Sequence, residues 1–159
     1  MIKIRFAQQR DNSSCGLIAL ANARKWLGVP TNSRAFNAKM RKVLGTYGKS
    51  VGVHHYQIYW LIAKDKHLCN SWYTTLIHPT IGQIDKLLSH GMSAILAVEW
   101  PHVNYGHYTL VIKKTGSTYY CANYCNGPTS RVPREYMKKL LRFKRIEGSK
   151  AFVFNIRNK

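Results

Sequence analysis

Acidic residues are scarce in this chain. Its 159 residues carry 25 Lys and Arg against 6 Asp and Glu, a formal charge of +19, far beyond what solubility requires. The excess is uneven: residues 1–50 hold 10 basic and 1 acidic residue, residues 51–100 hold 3 and 3, and residues 101–159 hold 12 and 2. Such a field attracts polyanions through counterion release, which predicts at least non-specific binding of nucleic acid or of an acidic partner. The plainer reading is a solvated cationic surface. Long apolar runs are also missing. Nothing approaches the ~18 residues a membrane span needs, and the start, MIKIRFAQQR, has neither an apolar h-region nor a small-residue cleavage site. These absences predict a soluble protein that stays in the cytoplasm. There the four cysteines, Cys15, Cys69, Cys121 and Cys125, are expected as reduced thiols. No repeat, linker or low-complexity segment interrupts the sequence. With 45% apolar residues and 12% aromatics, residues 1–159 are read as one globular domain with a real core.

What is present is organised around residues 9–28, QRDNSSCGLIALANARKWLG. Cap-forming residues (Asp11, Asn12, Ser13, Ser14) precede Cys15, an apolar run follows it, and Gly28 and Pro30 end the stretch. That is a helix with a marked start and stop. Its first two turns are apolar on nearly every side, so it belongs inside the core. Cys15 then lies in the first turn of a buried helix, where unpaired N–H groups and the helix dipole favour an anion and hence the reactive thiolate. A buried structural cysteine is the competing reading.

Before this helix, residues 2–7 alternate and predict a short strand or an extended arm. After it, cap residues 31–33 open a second helix over about 33–44, with Phe36, Met40, Val43 and Leu44 on one face. A glycine-containing loop, residues 45–52, leads to a third helix over about 53–66. The pattern then changes: residues 72–77 have strand composition, 80–90 helical spacing, and 92–100 form a continuous apolar strand. Residues 107–113 and 118–123 form a hairpin around residues 114–117. Pro133 opens a last helix to about 142, with Tyr136, Met137, Leu140 and Leu141 inward, and residues 151–156 close with a strand. Helices first and a sheet afterwards predict an α+β class, with two lobes sharing one cleft.

A thiolate nucleophile needs a base, a group to orient the base, and donors for the oxyanion. His107 stands at the start of a hairpin strand, where its side chain can project into a cleft. Asn123 ends the partner strand and can hold the imidazole by its ring N–H. Gln9 can reach back over the helix start and donate beside the Cys15 N–H.

Gln9-x5-Cys15-Gly16, the helix after it, the run Gly106-His107-Tyr108-Thr109-Leu110-Val111 and an amide sixteen residues after the histidine together resemble papain-like cysteine peptidases. The set is most similar to the bacterial peptidases that trim bacteriocin leaders after a double glycine, and to their stand-alone relatives. Residues 80–100 look like that family's helix-strand unit and 132–141 like its late helix. The resemblance implies a papain-like fold, an N-terminal helical lobe with a central cysteine-bearing helix and a C-terminal antiparallel sheet. It further implies hydrolysis of a peptide or isopeptide bond in a protein substrate without metal or cofactor. Cys15 becomes the nucleophile, His107 the general base and later acid, Asn123 the orienting residue and Gln9 the oxyanion donor. The leader peptidases usually have Asp in the orienting place, and Asn126 is an alternative partner for His107. The double-glycine substrate itself does not carry over.

Other readings of these residues remain. Cys121-x3-Cys125 with His102 and His107 is a candidate zinc site, but it lacks the usual CxxC spacing. The aromatics between Tyr56 and Trp60, and Tyr119-Tyr120, can stack bases beside the basic patches, although at this spacing such residues serve the core more often. A papain-like scaffold whose site is vestigial and whose cationic surface binds nucleic acid or an acidic partner is the alternative function.

Overall fold

The computed structural model describes residues 4–9, 14–44, 53–99, 106–124, 129–142 and 148–155. Ile2, residues 11–13, His102, Cys125, Asn126, Lys144 and Arg145 lie outside them.

The first helix, α1 (Cys15–Trp26), begins at the cysteine, and every residue from Cys15 to Ala23 is buried. Burying each large side chain such as Leu17 or Leu20, both with no exposed surface, stabilises the fold by about 1.5–3 kcal/mol relative to exposing it. The helix ends where expected: Gly28 has φ 81°, and the N–H groups of Leu27, Gly28 and Val29 satisfy the last carbonyls at 2.9–3.0 Å. Gly16 matters for packing. A methyl group there would sit 3.0 Å from Ile58 Cδ1, 3.2 Å from Val53 Cβ and 3.4 Å from Tyr108 Cδ2, so any side chain would require these neighbours to give by a few tenths of an ångström.

Three further helices share its side of the molecule, α2 (Ser33–Leu44), α3 (His55–Lys64) and α4 (Lys66–Ser71). Where the sequence predicts one helix over 53–66, two are present, because Asp65 leaves the helical conformation and caps α4 by accepting from the N–H groups of His67 and Leu68. The same carboxylate pairs with Arg24 of α1. After β1 (Trp72–Ile77), α5 (Ile81–Ser89) starts with a capping box of Thr80 and Gln83. Strands β2 (Met92–Glu99), β3 (Gly106–Thr115), β4 (Thr118–Ala122) and β5 (Thr129–Pro133), helix α6 (Arg134–Leu140) and strand β6 (Lys150–Asn155) complete the described chain. Tyr136, expected inward, is 37% exposed, whereas Met137, Leu140 and Leu141 are buried.

The six strands form one antiparallel sheet in the order β1-β6-β2-β3-β4-β5. Alternate residues face opposite ways, and both faces are covered. Ile95, Ala97, Tyr108, Leu110, Phe152 and Phe154 pack with α1 to α4. Leu96, Val98, Val111, Tyr119, Ala151 and Val153 pack with Ile84 of α5 and Met137 and Leu140 of α6. This double burial explains the unbroken apolar run of β2. The helical layer and the sheet expected as two lobes are therefore present, with α5 and α6 as an additional layer on the second face.

Candidate functional site

The hairpin that carries His107 is turned by Gly116 and Ser117, with Thr115 paired to Thr118 and Gly116 at φ 57°. A register shift between Val111 and Lys113 moves the remaining pairs, so Leu110 lies opposite Ala122. Asn123 follows directly and leaves the strand with φ 61°. Asparagine is among the few residues that take this left-handed conformation readily. The excursion aims its carbonyl at the histidine: His107 Nε2 donates to Asn123 O at 2.5 Å. The contact to the His107 ring expected of Asn123 is thus made by its main chain.

The Asn123 side chain does something else. Its Oδ1 accepts from the Gln9 N–H at 2.8 Å and its Nδ2 donates to Gln9 Oε1 at 3.1 Å. Residue 123 therefore clasps His107 with its backbone and Gln9 with its amide. Gln9 ends an extended arm, residues 4–9, that runs antiparallel to α1. Lys25 Nζ donates to Arg5 O at 3.0 Å, Phe6 packs on Trp26 with ring centroids 6.0 Å apart, and the Asn22 amide bonds both the N–H and the carbonyl of Ala7 at 2.8 and 2.9 Å. The arm is not a strand. Helix α1 packs on β3, and Gly16, beside Cys15, abuts Tyr108, beside His107. Of the residues singled out in the sequence, Gln9, His107 and Asn123 are thus joined by hydrogen bonds, and Cys15 opens the helix against which both the arm of Gln9 and strand β3 pack.

Cys15 is 6% exposed and His107 is 1% exposed. Burial pushes the imidazole pKa down to about 4, against a smaller upward pull from the Asn123 carbonyl. The ring is neutral at physiological pH. With Nε2–H donated to the carbonyl, the lone pair of that neutral ring is on Nδ1. Tyr124 packs edge-on against it at 6.3 Å between centroids. Sequence reasoning missed Asn22 and the use of a main-chain carbonyl. A polar residue in the middle of a helix apolar all round was the available signal for the first; the second has none.

Other features lie elsewhere. A cavity of about 930 Å³, lined in part by Asp85, Lys86, Lys113 and Lys114, sits at the opposite end of β3 from His107. Cys15, Cys69 and Cys121 are thiols. Among the described residues no cluster of three His, Cys, Asp or Glu could hold a metal, and no helix is long and apolar enough to cross a membrane.

No family model and no curated protein matches the sequence. Solved structures do match. The peptidase domain of Streptococcus ComA, a bi-functional ABC transporter of a quorum-sensing pathway, superposes with a TM-score of 0.63 at 15% identity, over 96% of this chain and 99% of that one. A C39-like peptidase from Bacillus anthracis gives 0.64 at 13% identity, over 94% of each chain. A double glycine motif protease from an AMS/PCAT transporter, in complex with the leader peptide, gives 0.60 at 13% identity over 96% and 92%. The similarity runs over nearly the whole length of each chain, and the chain has the papain-like fold of the C39, double-glycine type of peptidase.

Proposed function

We propose that this protein is a cysteine hydrolase that cleaves a peptide or isopeptide bond, with Cys15 as nucleophile, His107 as base and acid, Asn123 as the residue that holds His107, and Gln9 as oxyanion donor. The observation that carries the reading is the chain of bonds from His107 through Asn123 to Gln9 at the start of the Cys15 helix. The peptidase fold supports it, as does the peptide bound to one of the similar structures.

Chemically, His107 Nδ1 takes the thiol proton as Cys15 Sγ attacks the substrate carbonyl. The C–N bond then breaks, the amine leaves with the proton held by His107, and a thioester remains. Water, deprotonated by the same imidazole, hydrolyses that thioester and restores the thiol. A neutral imidazole suits the first step, since a ring protonated at neutral pH could not accept the proton. The Gln9 amide is pinned through its oxygen, so its nitrogen is the end that donates, beside the Cys15 N–H, to the oxyanion. This sequence of steps uses no metal or cofactor.

The charge favours a second reading, a papain-like scaffold whose cationic surface binds nucleic acid or an acidic partner. Lys138, Lys139 and Arg142 are exposed at α6, and Arg34, Lys39 and Lys42 at α2. Hydrolysis of a peptide library by wild type and by Cys15→Ala separates the two. Cleavage that disappears in Cys15→Ala supports the hydrolase; wild-type turnover in that variant ends it.

A further inference from the structure

We infer that Asn22 is a positioning residue that sets the register of the N-terminal arm, so that Gln9, and no neighbour of it, arrives at Asn123. The inference rests on the role proposed above for Gln9.

Asn22 has no exposed surface and sits in the middle of a core helix. Nothing local calls for it there, because asparagine is a weaker helix former than alanine or leucine and a buried amide is costly unless bonded. Its bonds go to one residue. Oδ1 accepts from the Ala7 N–H and Nδ2 donates to the Ala7 carbonyl, as the edge of a neighbouring strand would. A tie that needs both groups of one residue fixes register. A slip of one position would carry Gln9 about 3.4 Å from Asn123 and turn its side chain to the other side of the arm. The tie from Lys25 to the Arg5 carbonyl, farther back along the arm, is a single exposed contact on a flexible side chain. Asn22 also lies seven residues after Cys15, two turns down nearly the same face of α1. The helix that carries the nucleophile therefore also carries the ruler for the oxyanion donor.

The test is a double-mutant cycle between Asn22→Leu and Gln9→Ala, read by peptide hydrolysis and by hydrogen exchange of the Gln9 amide in the full chain. Asn22→Leu keeps the side-chain volume and removes both bonds. It should reduce hydrolysis by the same 10²–10³ as loss of the oxyanion donor, and Gln9→Ala should add less than about threefold on top of it. Protection of the Gln9 amide should be lost while alkylation of Cys15 stays within about threefold of wild type. Ala7→Pro, which deletes the N–H from the arm and leaves the core intact, should reproduce the result and covers the case in which Asn22→Leu does not fold. Multiplying effects of Asn22 and Gln9, or a Gln9 amide still protected in both Asn22→Leu and Ala7→Pro, would overturn the inference. Loss of Gln9 protection in a protein whose wild type cleaves nothing would uphold the register and overturn the catalytic reading instead.

Discussion

Two regions of the molecule are fastened by different chemistry. The junction around His107 is held by neutral groups: the Asn123 carbonyl, its amide, the Gln9 amide and the Asn22 amide. At the far end of β3, Asp85 of α5 accepts from the Tyr119 hydroxyl of β4 and pairs with Lys114 of β3 and Arg134 of α6, both at 3.0 Å. Burial raises the Asp85 pKa, but the hydrogen bonds and charges of Tyr119, Lys114 and Arg134 outweigh it and hold the carboxyl below its usual value. The amides themselves bring no fixed charge to a histidine that, in the proposed mechanism, has to stay deprotonated until it takes the thiol proton. A carboxylate in the same place would favour the imidazolium. In a chain with so few acids, Asp85 and Asp65 serve as structural ties away from the site.

The sharpest way to break this comparison is to change residue 123. Asn123→Gly keeps the left-handed backbone and its carbonyl but drops the amide that holds Gln9. Hydrolysis should then fall about 10²–10³, as in Gln9→Ala, while reactivity of Cys15 persists. Asn123→Ala should lose thiol reactivity as well, because the strained φ costs about 1–2 kcal/mol for a residue with a Cβ and the carbonyl then shifts away from His107. Equal behaviour of the two variants, seen in parallel alkylation and hydrolysis assays, would mean that the backbone contact is not what orients the ring.

Acid should separate the two regions next. The folded pKa of His107 is depressed from 6.5 to about 4, so between those values the unfolded chain binds the proton first. Its contribution is complete above pH 6.5 and is lost as pH falls to about 4, on the order of 3 kcal/mol. Asp85, whose folded value is also depressed, loses its contribution only below 3.8. Urea melts across pH 4–7 should show the loss in wild type and a flatter profile in His107→Gln. An unchanged slope in that variant would place the titration elsewhere. The acid limb of hydrolysis should likewise fall below 6.5; a limb at or above that value would mean a solvated imidazole.

A smaller effect is expected at the charged cluster around Asp85. Asp85→Asn keeps an acceptor for Tyr119 and removes the ion pairs, which should cost about 1 kcal/mol or less in a denaturant melt and leave Cys15 alkylation at the wild-type rate. A change in thiol reactivity would couple regions that lie at opposite ends of β3. Smallest of all is the effect of Lys138→Gln, Lys139→Gln and Arg142→Gln together. For every phosphate that one of these cations neutralises, its replacement should lower the salt slope of nucleic-acid binding by about one, with hydrolysis unaffected. Absence of any binding at low salt would remove the polyanion reading.

Much of this architecture was legible because local physics decides it. The start and stop of α1, its total burial, the bounds of α2 and the β3-β4 hairpin follow from caps, apolar period and turn residues. The rest depends on partners distant in sequence. Asp65 sits in a Lys-Asp-Lys run that reads as solvent-facing, yet Arg24 draws it inward to cap α4. Strand β5 has only Val132 pointing into the core and Pro133 at its end, so it is visible only as an edge partner of β4. The last strand, β6, was recognisable as a strand, but its place between β1 and β2 is set by the sheet as a whole. For the proposed site, the sequence singles out residues 9, 15, 107 and 123 by type and spacing. The division of labour within Asn123 was not legible, because a left-handed φ and the direction of a carbonyl leave no mark in composition or spacing.

The central claim, that Cys15 is a nucleophile activated by His107, is tested most directly by alkylation of Cys15 with iodoacetamide at neutral pH, followed by peptide mass mapping in wild type and His107→Ala. Mapping separates Cys15 from the exposed Cys69. Faster labelling of Cys15 than of a model thiol, with at least a tenfold loss in His107→Ala, corresponds to about 1.4 kcal/mol of activation and is the predicted result. Labelling no faster than the model thiol and indifferent to His107 would contradict the account.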